Sequence, residues 1–140
     1  MPDILALLSQ SDAYSAALYP PESNHQPDLA ALSGHGIRFF VARLDGKAAG
    51  CGALMLGAAG QGEIKRMFID PAARGLGIGR ALLDAIEAAG RADGVGLLQL
   101  ETGIHNHEAI RLYRRCGYRE RGPFGAYAAD PLSVFMEKML

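Results

Sequence analysis

The chain has 140 residues, 49% of them hydrophobic and 21% charged, which suits one globular domain, 1–140, with a real core and leaves no room for a second. Lysine and arginine nearly balance aspartate and glutamate at a net charge of -1, so no broad field points toward nucleic acid or an anionic membrane. No apolar run reaches membrane-spanning length, nothing at Met1 resembles a charged, apolar signal sequence, and Cys51 and Cys116 lack metal-ligand spacing, so a reducing cytoplasm is the expected setting.

Ile4, Leu5, Leu7, Leu8, Ala16, Ala17 and Leu18 form a rough helical stripe over Asp3 to Leu18, which Pro20 and Pro21 must end. A turn-rich loop follows from Tyr19 to Gln26, and Pro27 can open a short helix to about Ser33. Ile37 to Arg43 reads as a strand, Asp45-Gly46 as a hairpin turn, and Lys47 to Leu56 as the returning strand. After a turn at Gly57 to Gly62, a third strand should alternate Glu63, Lys65, Met67 and Ile69 on one face against Ile64, Arg66 and Phe68 on the other. Ile78, Leu82, Ile86 and Ala89 then share a helical face, with Gly94 as the cap. Val95 to Thr102 returns as a strand, and strand-helix-strand implies a right-handed parallel crossover. Asn106 can cap a helix with Ala109, Leu112, Tyr113 and Cys116 on one stripe, closed by Gly117; short strands from Tyr118 and over Leu132 to Met139 complete the chain.

The stretch Ile64 to Leu83 carries the chemistry. Gly75, Gly77 and Gly79 leave the backbone bare where a helix begins, so unpaired N–H groups can approach an anion, and Arg74 and Arg80 flank the corner. This is a candidate diphosphate cradle. A P-loop is excluded because no Lys and hydroxyl residue follow Gly79. A dinucleotide fingerprint fits poorly, since its third glycine would fall on Arg80 or Leu82; Glu101, where a ribose-binding acid would stand, keeps that fold open as a rival. Arg74, Gly77 and Gly79 do match Arg/Gln-x-x-Gly-x-Gly/Ala after a strand ending in Ile69-Asp70-Pro71. In this the chain resembles the GNAT superfamily of N-acetyltransferases.

The resemblance implies a mixed α/β fold: a mostly antiparallel sheet with a splayed central parallel pair and helices on both faces. The family usually begins with a strand before its first helix, whereas this sequence starts almost at the helix, leaving an edge open or paired with a neighbour. Acetyl-coenzyme A is the implied co-substrate. Its pantetheine arm would lie along Met67, Phe68 and Ile69, with Arg74, Gly75, Leu76, Gly77, Ile78, Gly79 and Arg80 around the diphosphate. Tyr113 occupies the family's Asn-x-x-Ala-x-x-x-Tyr pattern from Asn106, which implies that its hydroxyl protonates the departing thiolate. Read without the family, it is a core tyrosine.

An alkyl ammonium needs a base before it can attack. Glu63, eleven residues before Arg74 as in the histone-acetylating branch, and Glu101 are the candidates; either can equally be a surface carboxylate paired with Lys65 or an arginine. The segment between the first two helices shapes the acceptor pocket in the family, which singles out Tyr19 and Glu22; Phe124 and Tyr127 in the late loop are further candidate contacts. His105 and His107 have no third ligand, and Cys116 has no evident base, so neither a metal nor a cysteine nucleophile is expected. The implied activity is acetyl transfer to a small-molecule, peptide or protein amine by direct attack, in a monomer or homodimer. Coenzyme binding without turnover and a dinucleotide-binding domain remain as alternatives.

Overall fold

The computed structural model describes residues 2–20 and 36–140. Its elements are α1 (Pro2–Leu18), β1 (Ile37–Leu44), β2 (Lys47–Leu56), β3 (Gln61–Ile69), α2 (Ile78–Ala92), β4 (Leu97–Gly103), α3 (His107–Arg115), β5 (Arg119–Arg121) and β6 (Ser133–Met139). Six strands form one sheet in the order β1-β2-β3-β4-β6-β5, antiparallel throughout except for the β3–β4 pair that α2 connects. Glu22 and the expected helix from Pro27 to Ser33 lie outside the described residues.

The Asp45-Gly46 turn joins Leu44 to Lys47 with both residues at positive φ, 52° and 81°, the geometry a two-residue hairpin requires. On one face of the sheet, Leu83 and Ile86 of α2 and Tyr113 of α3 meet Leu54, Ile64, Leu98, Leu100 and Met136. Each fully buried leucine or isoleucine there contributes about 1.5–3 kcal/mol through removal from water. On the other face α1 brings Leu7 and Leu8 against Cys51, Ala53 and Phe68.

The expected stripe on α1 is only half realised. Leu7, Leu8, Ser11 and Ser15 are its buried positions, while Leu5 and Leu18 are exposed. From Leu7 and Leu8 the helical period runs to residues 11 and 15, so sheet packing overrides the apolar count at Ala16 and Ala17. Asp3 anchors the helix start, accepting from Arg43 Nη1 at 2.5 Å and from the amides of Ile4 and Ala48. These bonds hold its carboxyl below the ordinary aspartate range, the Arg43 bond foremost.

A single alternation along β3 also fails. Cys51 pairs with Phe68 but Ala53 pairs with Lys65, so β3 carries an extra residue, and Arg66 sits at φ 57° in the resulting bulge. The bulge inverts the side-chain phase. Ile64 packs with the α2 core, and beyond the bulge Met67 and Ile69 turn to that same face; they border Gly52 and Gly50 together with Ile86, Ile78 and Leu82. Glu63 and Lys65 therefore lie opposite Met67 and Ile69. Two contacts hold the bulge: buried Arg66 donates to Asp12 of α1, and Cys51 Sγ donates to the Arg66 carbonyl at 3.3 Å.

Candidate active site

The parallel ladder is short. β3 and β4 pair from Gln61–Leu97 to Ile64–Leu100 and then separate, although β3 continues to Ile69 and β4 to Gly103. Each strand keeps its outer neighbour: Phe68 and Ile69 stay paired with Cys51 and Gly50, and β4 follows β6 from Leu97–Met139 to Gly103–Ser133. The inner edges diverge where β3 is bulged, since a bulge strengthens local twist and breaks the ladder.

Into this gap opens a cleft of about 500 Å³. Its inner wall is Met67, Phe68 and Ile69, and its floor runs under Ala73 to Arg80 at the start of α2. Asp70 caps a 3-10 turn, Pro71–Ala73, by accepting from the Ala72 amide at 3.0 Å. The chain then passes through Gly75 at φ 81° and Gly77 at φ 77°, where a Cβ would meet no protein atom within 4 Å. Gly77 is the N-cap of α2 and offers no side-chain cap, so the first amides of the helix are free to take an anion. Gly79 serves another purpose: a Cβ there would fall 2.6 Å from Leu112 Cδ2, so its bareness lets α3 approach α2. Arg74, Ile78, Gly79 and Arg80 line the cleft, whereas Leu76 is exposed outside it.

The cleft has lining that sequence reasoning missed. Ser11, Tyr14 and Ser15 of α1 contribute, as do Thr102, Glu108, Arg115 and Cys116. The serine spacing on α1 was the available signal, since residues 11 and 15 share a helical face with Leu7 and Leu8.

Asn106 occupies the N-cap position of α3 but its side chain makes no cap bond. It donates instead to Thr102 Oγ1 at 3.1 Å and accepts from the Tyr19 hydroxyl at 3.2 Å. Tyr19 is buried, accepts from the His105 amide at 2.9 Å, and lies so close to β4 that a Cβ on Gly103 would be 1.9 Å from its ring. These contacts fasten the end of α1 to the β4–α3 loop. Burial raises the Tyr19 hydroxyl's pKa above the ordinary tyrosine value. His105 stacks on Tyr19 at 5.8 Å and meets His107 edge-on at 6.5 Å. Among the described residues no three His, Cys, Asp or Glu side chains are grouped to hold a metal ion.

Tyr113 is buried in the core of α3, its ring 5.7 Å from Tyr118, and is not part of the cleft lining. Among the described residues its hydroxyl has no hydrogen-bond partner. Burial, and secondarily the charge of Glu101, raises its pKa well above the ordinary value, so it keeps its proton through the neutral range.

The two acids lie by the mouth of the strand gap. Glu63 accepts from the Tyr127 hydroxyl at 2.6 Å and faces Lys65 Nζ at 3.2 Å, and Lys65 also donates to Tyr127. Burial foremost, then the bond to Glu63, raises the Tyr127 pKa. Glu101 accepts from Ser133 Oγ at 2.7 Å, and its charge adds to the upward shifts of Tyr19, Tyr113 and Tyr127 alike. It is thus the carboxylate whose field reaches all three phenols. Phe124 is buried, 5.1 Å from the Tyr127 ring and 5.8 Å from Phe135, and so anchors the late loop beside these groups.

Comparison with known proteins identifies the family. Residues 4–118 match the acetyltransferase (GNAT) family. The chain is 51% identical to an IAA acetyltransferase of Azospirillum brasilense over 98% of its own length and 90% of that protein. It is similar in structure to an acyl-CoA N-acyltransferase assigned in Klebsiella pneumoniae, with TM-score 0.86 at 44% identity, covering 99% of this chain and 90% of the other. At 18% identity it shares the fold of the PaiA N-acetyltransferase of Thermoplasma acidophilum, solved with coenzyme A; the TM-score is 0.76, over 99% and 93% of the two chains.

Proposed function

The chain belongs to the acetyltransferase (GNAT) family of acetyl-coenzyme A-dependent enzymes, and from that membership we propose that it acetylates a primary amine by direct attack in a ternary complex. The observation that carries the reading is the coincidence of two features in one cleft. Parallel strands part after Ile64 and Leu100, and directly beside the opening lies a helix start capped by Gly77, where no Cβ covers the approach.

The diphosphate rests on the amides from Gly75 to Arg80, with Arg74 adding charge. The pantetheine arm takes the β3 edge at Met67 to Ile69, which has lost its β4 partner, so main-chain groups bind it as a strand would. A backbone N–H of that edge meets the carbonyl oxygen as negative charge develops. The amine enters from the side of Glu63, Lys65, Glu101 and Tyr127. Glu101 accepts its proton directly or through water, while Glu63, held by Tyr127 and neutralised by Lys65, lines the approach as a hydrogen-bonding group. The C–N bond forms, the C–S bond breaks, and the thiolate takes a proton from Tyr113, which regains one from the nitrogen as the amide forms; burial keeps the Tyr113 hydroxyl protonated through the neutral range until then. Tyr19 and Asn106 hold the β4–α3 loop at the cleft wall, and Phe124 fixes the loop that carries Tyr127.

The reading is of residues 1–140 as one N-acetyltransferase domain in a reducing cytoplasm, where Cys51 and Cys116 stay free thiols. Its acceptor is a small-molecule or peptide amine, with the enzyme acting as monomer or homodimer. A thermal-shift comparison of acetyl-coenzyme A, coenzyme A and NAD tests the carrier: stabilisation by the first two alone is expected, and stabilisation by NAD alone would refute the reading. Thiol release then tests turnover on amino acids, polyamines, aminoglycosides and peptide N-termini. The compound named for the Azospirillum brasilense relative belongs in the same panel. Stabilisation without thiol release on any acceptor would favour a binding module.

A further inference from the structure

Among the described residues, arginines are matched to carboxylates with two exceptions. Arg38, Arg43, Arg66, Arg74, Arg91, Arg111, Arg114, Arg119 and Arg121 each have a carboxylate oxygen within 4.0 Å. Among the described residues, Arg80 and Arg115 have none, and both line the cleft. One stands in the first turn of α2 and the other in the last turn of α3, so separate elements deliver the two unmatched charges to one cavity.

Both share that cavity with the glycine corner. Near the 3-10 turn Arg74 is already opposed by Glu108, with Nε 3.5 Å from Oε2, and the bare amides of the glycine corner supply most of the anion binding there. The helices touch at Gly79 and Leu112. Arg80 follows Gly79, and Arg115 lies one helical turn past Leu112, so the two arginines flank that contact, and Arg115 stands at the opposite end of α3 from Glu108. Two exposed guanidinium groups without acids among the described residues, beside the proposed diphosphate cradle, match a second anion of about two charges.

Resting on the transferase reading, we propose that Arg80 and Arg115 form a phosphomonoester clamp for the 3′-phosphate on the ribose of coenzyme A. The clamp makes the protein distinguish coenzyme A from 3′-dephospho-coenzyme A, which shares the diphosphate and pantetheine arm. Arg115 is thereby a specificity-determining residue remote from the reacting atoms.

Titration calorimetry with both nucleotides on wild type, Arg115→Gln and Arg114→Gln tests this. Arg114 is the control, since it neighbours Arg115, is paired with Glu120 and does not line the cleft. Wild type and Arg114→Gln should prefer coenzyme A by roughly tenfold, as suits charge-assisted hydrogen bonds to a phosphate. Arg115→Gln should bring the ratio to within about twofold while leaving 3′-dephospho-coenzyme A affinity unchanged. A wild-type ratio near one, or a ratio untouched by Arg115→Gln, overturns the clamp. Equal weakening of both nucleotides overturns it in favour of a diphosphate contact. Failure of wild type to bind either overturns the transferase reading and the clamp together.

Discussion

Gly77 and Gly94 form a matched pair at opposite ends of α2. Their φ angles are 77° and 80°, and a Cβ on either would meet nothing within 4 Å. Alanine at each position therefore pays only the left-handed backbone cost, about 1–2 kcal/mol, with no clash term. For a domain of this size that lowers Tm by roughly 3–8 °C, and the two variants should fall by the same amount. Coenzyme binding should separate them. The methyl of Gly77→Ala projects at the start of α2, where the diphosphate must reach the amides, and should weaken coenzyme A by at least about tenfold; Gly94→Ala lies past the far end and should bind like wild type. Differential scanning fluorimetry and calorimetry on both proteins read the two quantities independently. Equal coenzyme affinity in two equally destabilised variants would refute the assignment of the cradle.

Tyr113→Phe should lower single-turnover acetyl transfer by about a hundredfold with coenzyme affinity unchanged, and an unaltered rate would remove Tyr113 as the acid. Burial raises the Cys51 thiol to about pKa 11, so at pH 8 a disulfide reagent should label Cys116 in the cleft and spare Cys51. Saturating acetyl-coenzyme A should slow that labelling; mass mapping of the modified thiol checks both points. Asp3 has a depressed pKa, so its contribution to stability is complete above its unfolded value of 3.8 and is lost as pH falls through the lower folded value. Asp3→Asn should then be less stable than wild type at pH 7, and the difference should shrink only below about pH 4 in urea titrations.

Much of the candidate site was legible because it is backbone chemistry written in local residues. Gly75 and Gly77 announce left-handed conformations that other residues avoid, and both take them. Asp45-Gly46 dictates a two-residue hairpin for the same reason. The helical period of α2 likewise survives, with Leu82, Leu83 and Ile86 buried. Arg66 gave no such cue. An arginine at φ 57° in a strand is held there by partners distant in sequence, Asp12 and Cys51, and the face that Glu63 and Lys65 occupy depends on it. Ser11 and Ser15 were hidden because polar residues facing a cleft look like those facing solvent until the opposite wall is known.

The sequence by itself determined the elements whose signals are local: strand-turn-helix at the glycine corner, the hairpin, the helical faces, and the family pattern spanning Arg74, Gly77 and Gly79. Tertiary structure decided where β3 and β4 part, which face each acid takes, and that Tyr19 braces the β4–α3 loop. It also singled out Arg80 and Arg115 as the arginines whose charge no described carboxylate answers. The division has one physical cause. Turn and helix preferences are set by atoms a few bonds apart, whereas strand divergence, ion pairing and cleft walls are set by contacts between segments that only the folded chain brings together.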